Sequence, residues 1–62
     1  MKRIDKRITS NGITEYVYAC KDKSESTRAV FSEKFGQGSM YKRGGYDAHY
    51  NAYTVVVGYK RG

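Results

Sequence analysis

GGYDAHYNAYTVVVGYKR, residues 44–61, contains the strongest β-strand pattern in this chain of 62 residues. Its second half, from Ala52 or Tyr53 to Lys60, is rich in β-branched and aromatic residues, which favour extended, pleated backbone. We therefore predict a strand there, with Gly58 marking a bulge or a close approach by another backbone. Period-two alternation divides this strand into two faces, with Tyr53, Val55, Val57 and Tyr59 on one and Thr54, Val56 and Gly58 on the other.

The first third of the sequence predicts a β-hairpin over residues 4–20. A half-apolar run at 4–8 is followed by Asn11-Gly12, the dipeptide that best tolerates the positive φ angles of a type I′ turn. The next run, ITEYVYAC at 13–20, is again rich in strand-forming residues. Its two faces are Ile13, Glu15, Val17 and Ala19 against Thr14, Tyr16, Tyr18 and Cys20. Because Val17 and Ala19 are apolar, we expect a helix to cover their face, and the tyrosine face to be partly packed or open.

A helix is predicted from Ser24 to Phe35. Asp22 or Ser24 can accept the free N–H groups of its first turn, and the glutamate three positions after Asp22 fits a capping box. Phe31 and Phe35 are four residues apart and form a narrow apolar stripe that must dock on a sheet. Gly36 is placed to end the helix in a left-handed conformation.

Residues 37–45 are predicted to be a glycine-rich connection. Met40-Tyr41 fits a short strand or an apolar plug, and Lys42-Arg43-Gly44-Gly45 fits an exposed, flexible basic loop. Residues 46–50 give no clear pattern. The element order is β-β-α-β, with room for an extra short strand before the last one. This order predicts a single α+β domain over residues 1–62, in which an antiparallel sheet of three or four strands carries one helix on one face.

Length and composition exclude several classes of protein. A chain this short buries only about 60% of its unfolded surface, so its core is small. Cys20 is the only cysteine and His49 the only histidine, which excludes an intrachain disulfide and a four-ligand zinc site. We therefore expect no metal and no cofactor. A lone thiol without a signal-peptide pattern favours a cytoplasmic location, and no apolar run approaches the roughly 20 residues of a membrane span.

The positive charge lies in the two terminal segments. The net charge is +6, with +3 in residues 1–8, +3 in residues 37–62 and zero between them. If the terminal segments are neighbouring strands, their charges merge into one patch. Such a patch favours a polyanion, with nucleic acid as the first candidate and an acidic protein as the second.

Basic side chains combined with tyrosines predict a small cytoplasmic nucleic-acid-binding protein. Aromatic rings stack on unpaired bases while cations neutralise phosphates. Tyrosine is also the main aromatic residue available for packing here, so we select only Tyr46 and Tyr50, which follow the glycine-rich loop. The glycines beside Lys42-Arg43 would let the backbone approach a phosphate. The predicted contact residues are Lys2, Arg3, Lys6, Arg7, Lys42, Arg43, Tyr46, Tyr50, Lys60 and Arg61.

The main alternative is an interaction protein. The compact, basic sequence resembles in style the small products of phages or mobile elements that bind and inhibit or modulate a host protein. An exposed Tyr/Arg surface would bind an acidic partner, because these residues dominate binding hot spots. A homodimer through the same surface is compatible with either function.

Catalysis is not expected. The one enzymatic alternative is a ribonuclease that uses His49 as general base, with Asp47 as its orienting partner if both lie on a strand. Cys20 has no activating base near it in the sequence and is predicted to be a small packed residue.

Overall fold

The structure, a computed structural model, describes residues 1–32 and 38–60. They form one antiparallel sheet of four strands in the order β1-β2-β4-β3, with one helix on one face. This confirms the predicted α+β class. The elements are β1 (Lys2–Ile8), β2 (Ile13–Cys20), α1 (Lys23–Phe31), β3 (Ser39–Asp47) and β4 (Ala52–Lys60).

The strand order separates the two basic termini. β1 is one edge of the sheet, whereas β4 lies in the interior between β2 and β3. The terminal segments are therefore not neighbouring strands, and their charges do not merge in the predicted way. The second basic segment instead places Lys42 and Arg43 on β3, which is the other edge.

The β1–β2 hairpin closes through a three-residue loop rather than a type I′ turn. The N–H of Gly12 donates to the carbonyl of Thr9 at 3.0 Å, and the N–H of Thr9 donates to Ile13 at 2.9 Å. Gly12 has a φ of 78°, while Asn11 keeps a negative φ, as in loops that end with one left-handed glycine. The extra loop residue shifts the pairing by one position, so Lys6 lies opposite Tyr16.

The helix packs on the face that carries the tyrosines of β2, which we call the helical face. Its buried core consists of Cys20, Ala29, Val55 and Val57. The prediction that α1 covers the face of Val17 and Ala19 is wrong. The register explains the outcome, because β2 and β4 pair Tyr18 with Val55 and so place the core valines on the tyrosine side. Packed against this core are Tyr18, Val30, Tyr53 and Tyr59.

The start of the helix follows the predicted capping. The Asp22 side chain accepts the N–H of Glu25 at 2.8 Å, and the Glu25 carboxylate accepts the N–H of Lys21 at 2.9 Å. These two bonds satisfy N–H groups that the first turn leaves without helical partners. Asp22 is therefore the N-cap residue.

The buried side of the helix differs from the prediction. The helix ends at Phe31, and Phe31 is 81% exposed rather than docked on the sheet. Ser26 and Ala29 face the sheet instead, since small side chains let the helix backbone approach closely. Phe35 and Gly36, predicted to extend and end the helix, lie outside the described residues.

Ser26 fixes the helix to the sheet. Its hydroxyl donates to the carbonyl of Thr54 at 2.7 Å and accepts the N–H of Gly45 at 2.8 Å. Lys42 adds a second attachment, because its Nζ donates to the carbonyl of Ser32 at 2.8 Å, just after the helix. The prediction of a flexible loop at Lys42-Arg43-Gly44-Gly45 is therefore wrong, since this segment is the middle of β3.

The opposite face of the sheet carries no helix but is still covered. Val17 is fully buried there and Val56 is 5% exposed. The Tyr50 hydroxyl, from the β3–β4 turn, donates to the Asp5 carboxylate on β1, so this side chain spans the two central strands. The Tyr41 ring lies on Gly58, where a Cβ atom would stand 2.4 Å from the ring. Gly58 thus marks a close approach, made by a side chain rather than by a backbone.

Candidate nucleic-acid interface

A concave groove occupies the part of the helical face that the helix leaves open. α1 packs against β3, β4 and the margin of β2, and among the described residues it makes no packing contact with β1. The uncovered part is an open depression with a volume of about 400 Å³. We call it the tyrosine groove, and its lining residues are Arg3, Lys6, Thr14, Tyr16, Tyr18 and Tyr59.

A β-bulge brings the two cations of β1 onto the same face. The pairing of β1 with β2 shifts between Arg3 and Asp5, so Arg3 lies opposite Tyr18 while Lys6 lies opposite Tyr16. Without the shift, regular alternation would place residues 3 and 6 on different faces. The bulge therefore aims Arg3 into the groove, as bulges often re-aim side chains near functional sites.

Both cations lie over the ring of Tyr16. The guanidinium carbon of Arg3 is 5.2 Å from the ring centroid, and the Nζ of Lys6 is 5.9 Å from it. Exposed cation–π contacts of this kind contribute only about 0.5–1 kcal/mol. Neither side chain forms an ion pair with an acid in the described part of the chain. The groove thus combines an aromatic floor with two uncompensated positive charges.

The floor of the groove is held by ring contacts. The rings of Tyr16 and Tyr59 meet edge to face, with centroids 5.8 Å apart and planes at 72°. Burial raises the pKa of Tyr59, with smaller contributions from Tyr18 and Tyr16, so its hydroxyl is neutral at physiological pH. Tyr59 therefore adds no charge to the floor.

Two further arginines lie on the opposite face, but both are paired with one buried acid. Glu15 accepts from Arg7 Nε at 2.8 Å and from Arg43 Nη2 at 3.2 Å, and the Tyr41 hydroxyl also donates to it. The Glu15 side chain is only 7% exposed. We call these four residues the Glu15 network. Burial favours a raised pKa for Glu15, but the donors Tyr41 and Arg7 and the charges of both arginines outweigh it, so the pKa lies below its usual value.

A smaller cavity of about 200 Å³ adjoins the Glu15 network. Arg7 and Arg43 line it together with Asp47. With the carboxylate of Glu15 beneath them, the two cations are balanced by two acids. This cavity therefore offers a polyanion much less net charge than the tyrosine groove does.

The polar side chains of Tyr46, near the end of β3, and of the β3–β4 turn form hydrogen bonds within the chain. Tyr46 is 57% exposed, packs edge to face on Tyr53 at 5.6 Å, and donates through its hydroxyl to Asn51. Asn51 has a φ of 52°, a left-handed conformation that asparagine tolerates better than most residues. The hydrogen bond from Tyr50 is the main cause that holds the pKa of Asp5 below its usual value.

His49 does not make the contact predicted for a general base. The carboxylate of Asp47 accepts the backbone N–H of His49 at 2.9 Å, so the predicted orienting contact to the imidazole is not formed. The His49 ring instead lies 4.8 Å from that of Tyr50, measured between ring centroids.

Cys20 is buried, which confirms its predicted packing role, and this burial raises the pKa of its thiol. The described residues contain no cluster of His, Cys, Asp and Glu that could hold a metal ion.

The predicted contact residues do not form one surface but lie at several separate places in the structure. Arg3 and Lys6 meet in the tyrosine groove, whereas Lys42 is bound to the end of the helix. Lys2 and Lys60 are exposed at strand ends. Arg61 lies outside the described residues. Arg7 and Arg43 are on the opposite face, and Tyr50 is in the β3–β4 turn. Tyr46 lies near the end of β3, on the helical face beside Tyr53 and away from the tyrosine groove.

The sequence prediction missed the aromatic floor of the groove. The alternation of β2 correctly predicts that Tyr16 and Tyr18 share one face of the sheet. Nothing in the sequence alone places them beside Arg3. That neighbourhood depends on the three-residue loop and on the bulge in β1. A hairpin register built on such a loop would have brought Lys6 and Tyr16 together.

Comparison with known proteins assigns no family. No protein-family model, no curated protein and no solved structure matches this chain. Within the described residues, no helix has the length and apolar character needed to cross a bilayer. Function has to be inferred from the geometry and charge of the groove.

Proposed function

We propose that this protein binds nucleic acid in the cytoplasm through the tyrosine groove. The observation that supports this most is the pair of cations, Arg3 and Lys6, which lie over an aromatic ring without an acid partner in the described chain. Cations contact phosphates and aromatic rings stack on bases. The net charge of +6 adds long-range attraction for a polyanion.

The first test measures binding of the wild-type protein by fluorescence anisotropy. The probes are labelled single- and double-stranded DNA and RNA, each at about 50 and about 200 mM salt. We expect binding that weakens steeply with salt, because each neutralised phosphate releases counterions. Absence of binding at the lower salt would contradict the proposed function.

A charge-matched pair of double variants localises the binding. Arg3→Gln/Lys6→Gln removes the cations of the groove. Lys21→Gln/Lys23→Gln removes two exposed cations elsewhere and gives the same net charge. We expect the first variant to lose about tenfold or more in affinity and to lower the salt slope by about 1.4, which is two phosphates at about 0.7 each for a single strand. Equal losses in both variants would show that net charge, not the groove, attracts nucleic acid.

One observation favours the alternative of a protein partner. Phe31 exposes 81% of its surface on the helix, and exposed aromatic residues often anchor protein interfaces. If nucleic acid does not bind, loss of a purified partner complex on Phe31→Ala would support this alternative. An unchanged complex would contradict a role for this residue.

A further inference from the structure

We infer that the tyrosine groove selects single-stranded nucleic acid by stacking one unpaired base on the ring of Tyr16. This inference rests on the proposed function and adds the class of ligand. The groove is a recess in the sheet surface, and its aromatic floor is half-buried. A ring in such a position reaches a base only when the flat face of that base is exposed.

The surroundings of this depression favour one base rather than a duplex. Its volume of about 400 Å³ gives room for a base with its sugar, since small-molecule sites begin at roughly 300 Å³. The helix stands on the same face beside the groove, and a helix with its side chains is about 10 Å thick. It therefore obstructs the flat approach of a duplex. In a duplex the base faces are also covered by their stacked neighbours, so no ring can stack on them.

The two cations lie where an incoming base would stack, and a base can displace them from the ring. Arg3 and Lys6 are exposed on the edge strand and contact the Tyr16 ring through cation–π interactions. Losing both of these exposed contacts weakens binding about 5- to 30-fold. Losing a base stack weakens it roughly 5- to 100-fold. A base displaces both cations because the gain from stacking is joined by the new contacts that the released cations make with the flanking phosphates.

The Tyr16 ring is held in place for this exchange. It belongs to β2, which is paired on both sides, and the edge-to-face contact with Tyr59 supports it from the interior. Little ordering of the ring is needed when a base arrives, which favours affinity. The groups that must rearrange are the two long, exposed cationic side chains, which would then contact the phosphates.

The test uses the wild-type protein with three probes of equal length, about 12 nucleotides. They are labelled oligothymidylate, the same strand with abasic residues throughout, and a matched duplex. We expect the abasic strand to bind roughly 5- to 100-fold more weakly than oligothymidylate at the same salt, because it keeps the phosphates and loses the bases. We expect the duplex to bind at least about tenfold more weakly.

Two variants test the ring itself. Tyr16→Phe keeps the aromatic surface and should retain single-strand affinity within about 2-fold, whereas Tyr16→Leu should lose roughly 5- to 100-fold. Urea denaturation of both variants confirms that the folded protein is compared. If Tyr16→Leu does not fold, the abasic probe with the wild-type protein decides the question alone.

The outcomes separate this inference from the proposed function. Equal binding of the abasic strand and oligothymidylate, with loss in Arg3→Gln/Lys6→Gln, would overturn base stacking and leave nucleic-acid binding intact. Equal or tighter duplex binding would overturn single-strand selection in the same way. No binding of any probe at low salt would overturn both.

Discussion

The two faces of the sheet carry similar residues with opposite consequences. Each face presents two cations from edge strands close to tyrosine rings. On one face Glu15 binds both arginines and a tyrosine hydroxyl, and this Glu15 network covers the sheet. On the other face Arg3 and Lys6 lie over the ring of Tyr16 and have no acid partner among the described residues. Pairing with an acid, rather than residue type, decides whether a basic patch serves stability or is available to a ligand.

The Glu15 network also explains how a sheet face without a helix stays covered. Long polar side chains from both edges lie over it, and Val17 is fully buried beneath them. A chain of this length cannot supply a second apolar layer. An ion-paired layer replaces it, and this should make the face sensitive to the loss of its one central acid.

Glu15→Gln should have the largest effect on stability. The substitution keeps the shape of the side chain but removes the charge that holds Arg7 and Arg43. Hydrogen bonds to charged groups contribute about 1.5–3 kcal/mol each, and the partial exposure of both arginines lessens the cost of leaving them unpaired. We expect the free energy of unfolding in urea to fall by about 2–3 kcal/mol.

The same variant sharpens the comparison between the faces. Its affinity for nucleic acid should not fall when it is measured under conditions where the variant is folded, because the groove lies on the other side of the sheet. A large drop in affinity with a small drop in stability would contradict the separation of roles.

Ser26→Ala should have the next largest effect. It removes a fully buried hydroxyl and leaves the carbonyl of Thr54 and the N–H of Gly45 without this partner. We expect a loss of about 1–2 kcal/mol in the free energy of unfolding. Ser24→Ala, at an exposed position of the same helix, is the control and should change it by less than about 0.5 kcal/mol. Equal effects would mean that Ser26 does not fix the helix to the sheet.

Acid should weaken the Glu15 network. The folded-state pKa of Glu15 lies below its ordinary value of 4.5, so its contribution is complete above that pH and is lost as the pH falls through the lowered folded pKa. Asp5, lowered from 3.8 mainly by the hydrogen bond from Tyr50, acts in the same direction. Urea denaturation at several pH values should show constant stability from neutral pH to about 5 and a decline below about 4.5. The decline should be smaller in Glu15→Gln, and an identical decline would contradict this assignment.

Phe31→Ala should have the smallest effect on stability. The side chain is 81% exposed, so its removal should change the free energy of unfolding by no more than about 0.5 kcal/mol. The same denaturation series measures it. A loss above about 2 kcal/mol would show that Phe31 is a core residue, as its helical spacing predicted.

Local chemistry in the sequence predicted the elements better than their arrangement. β-Branched runs predicted β2 and β4, and Asp22 predicted the start of the helix, because those signals act within a few residues. The helical spacing of Phe31 predicts a core position, which the structure does not bear out. The helix instead turns Ser26 and Ala29 toward the sheet. Two hydrogen bonds between the Ser26 hydroxyl and backbone groups of the sheet fix the rotation of the helix about its axis.

The site was only partly predictable because it depends on register. Arg3 and Lys6 were selected for their charge, but Tyr16 joins them only through one extra loop residue and one bulge. A shift of one residue moves every side chain of a strand to the other face. Nothing in the residue type of Asn11 indicates the extra loop residue, and nothing in that of Ile4 indicates the bulge. The sequence therefore predicted the two cations of the groove but not the tyrosine rings beside them.

The most direct test follows the arginine side chains by NMR while unlabelled oligothymidylate is added to isotope-labelled protein. The Nε–H signal of Arg3 reports on the tyrosine groove, whereas those of Arg7 and Arg43 report on the Glu15 network. We predict that the Arg3 signal shifts strongly and saturates with binding, while the other two stay near their free positions. Large shifts at Arg7 and Arg43 with an unchanged Arg3 would place the ligand on the opposite face and contradict the account.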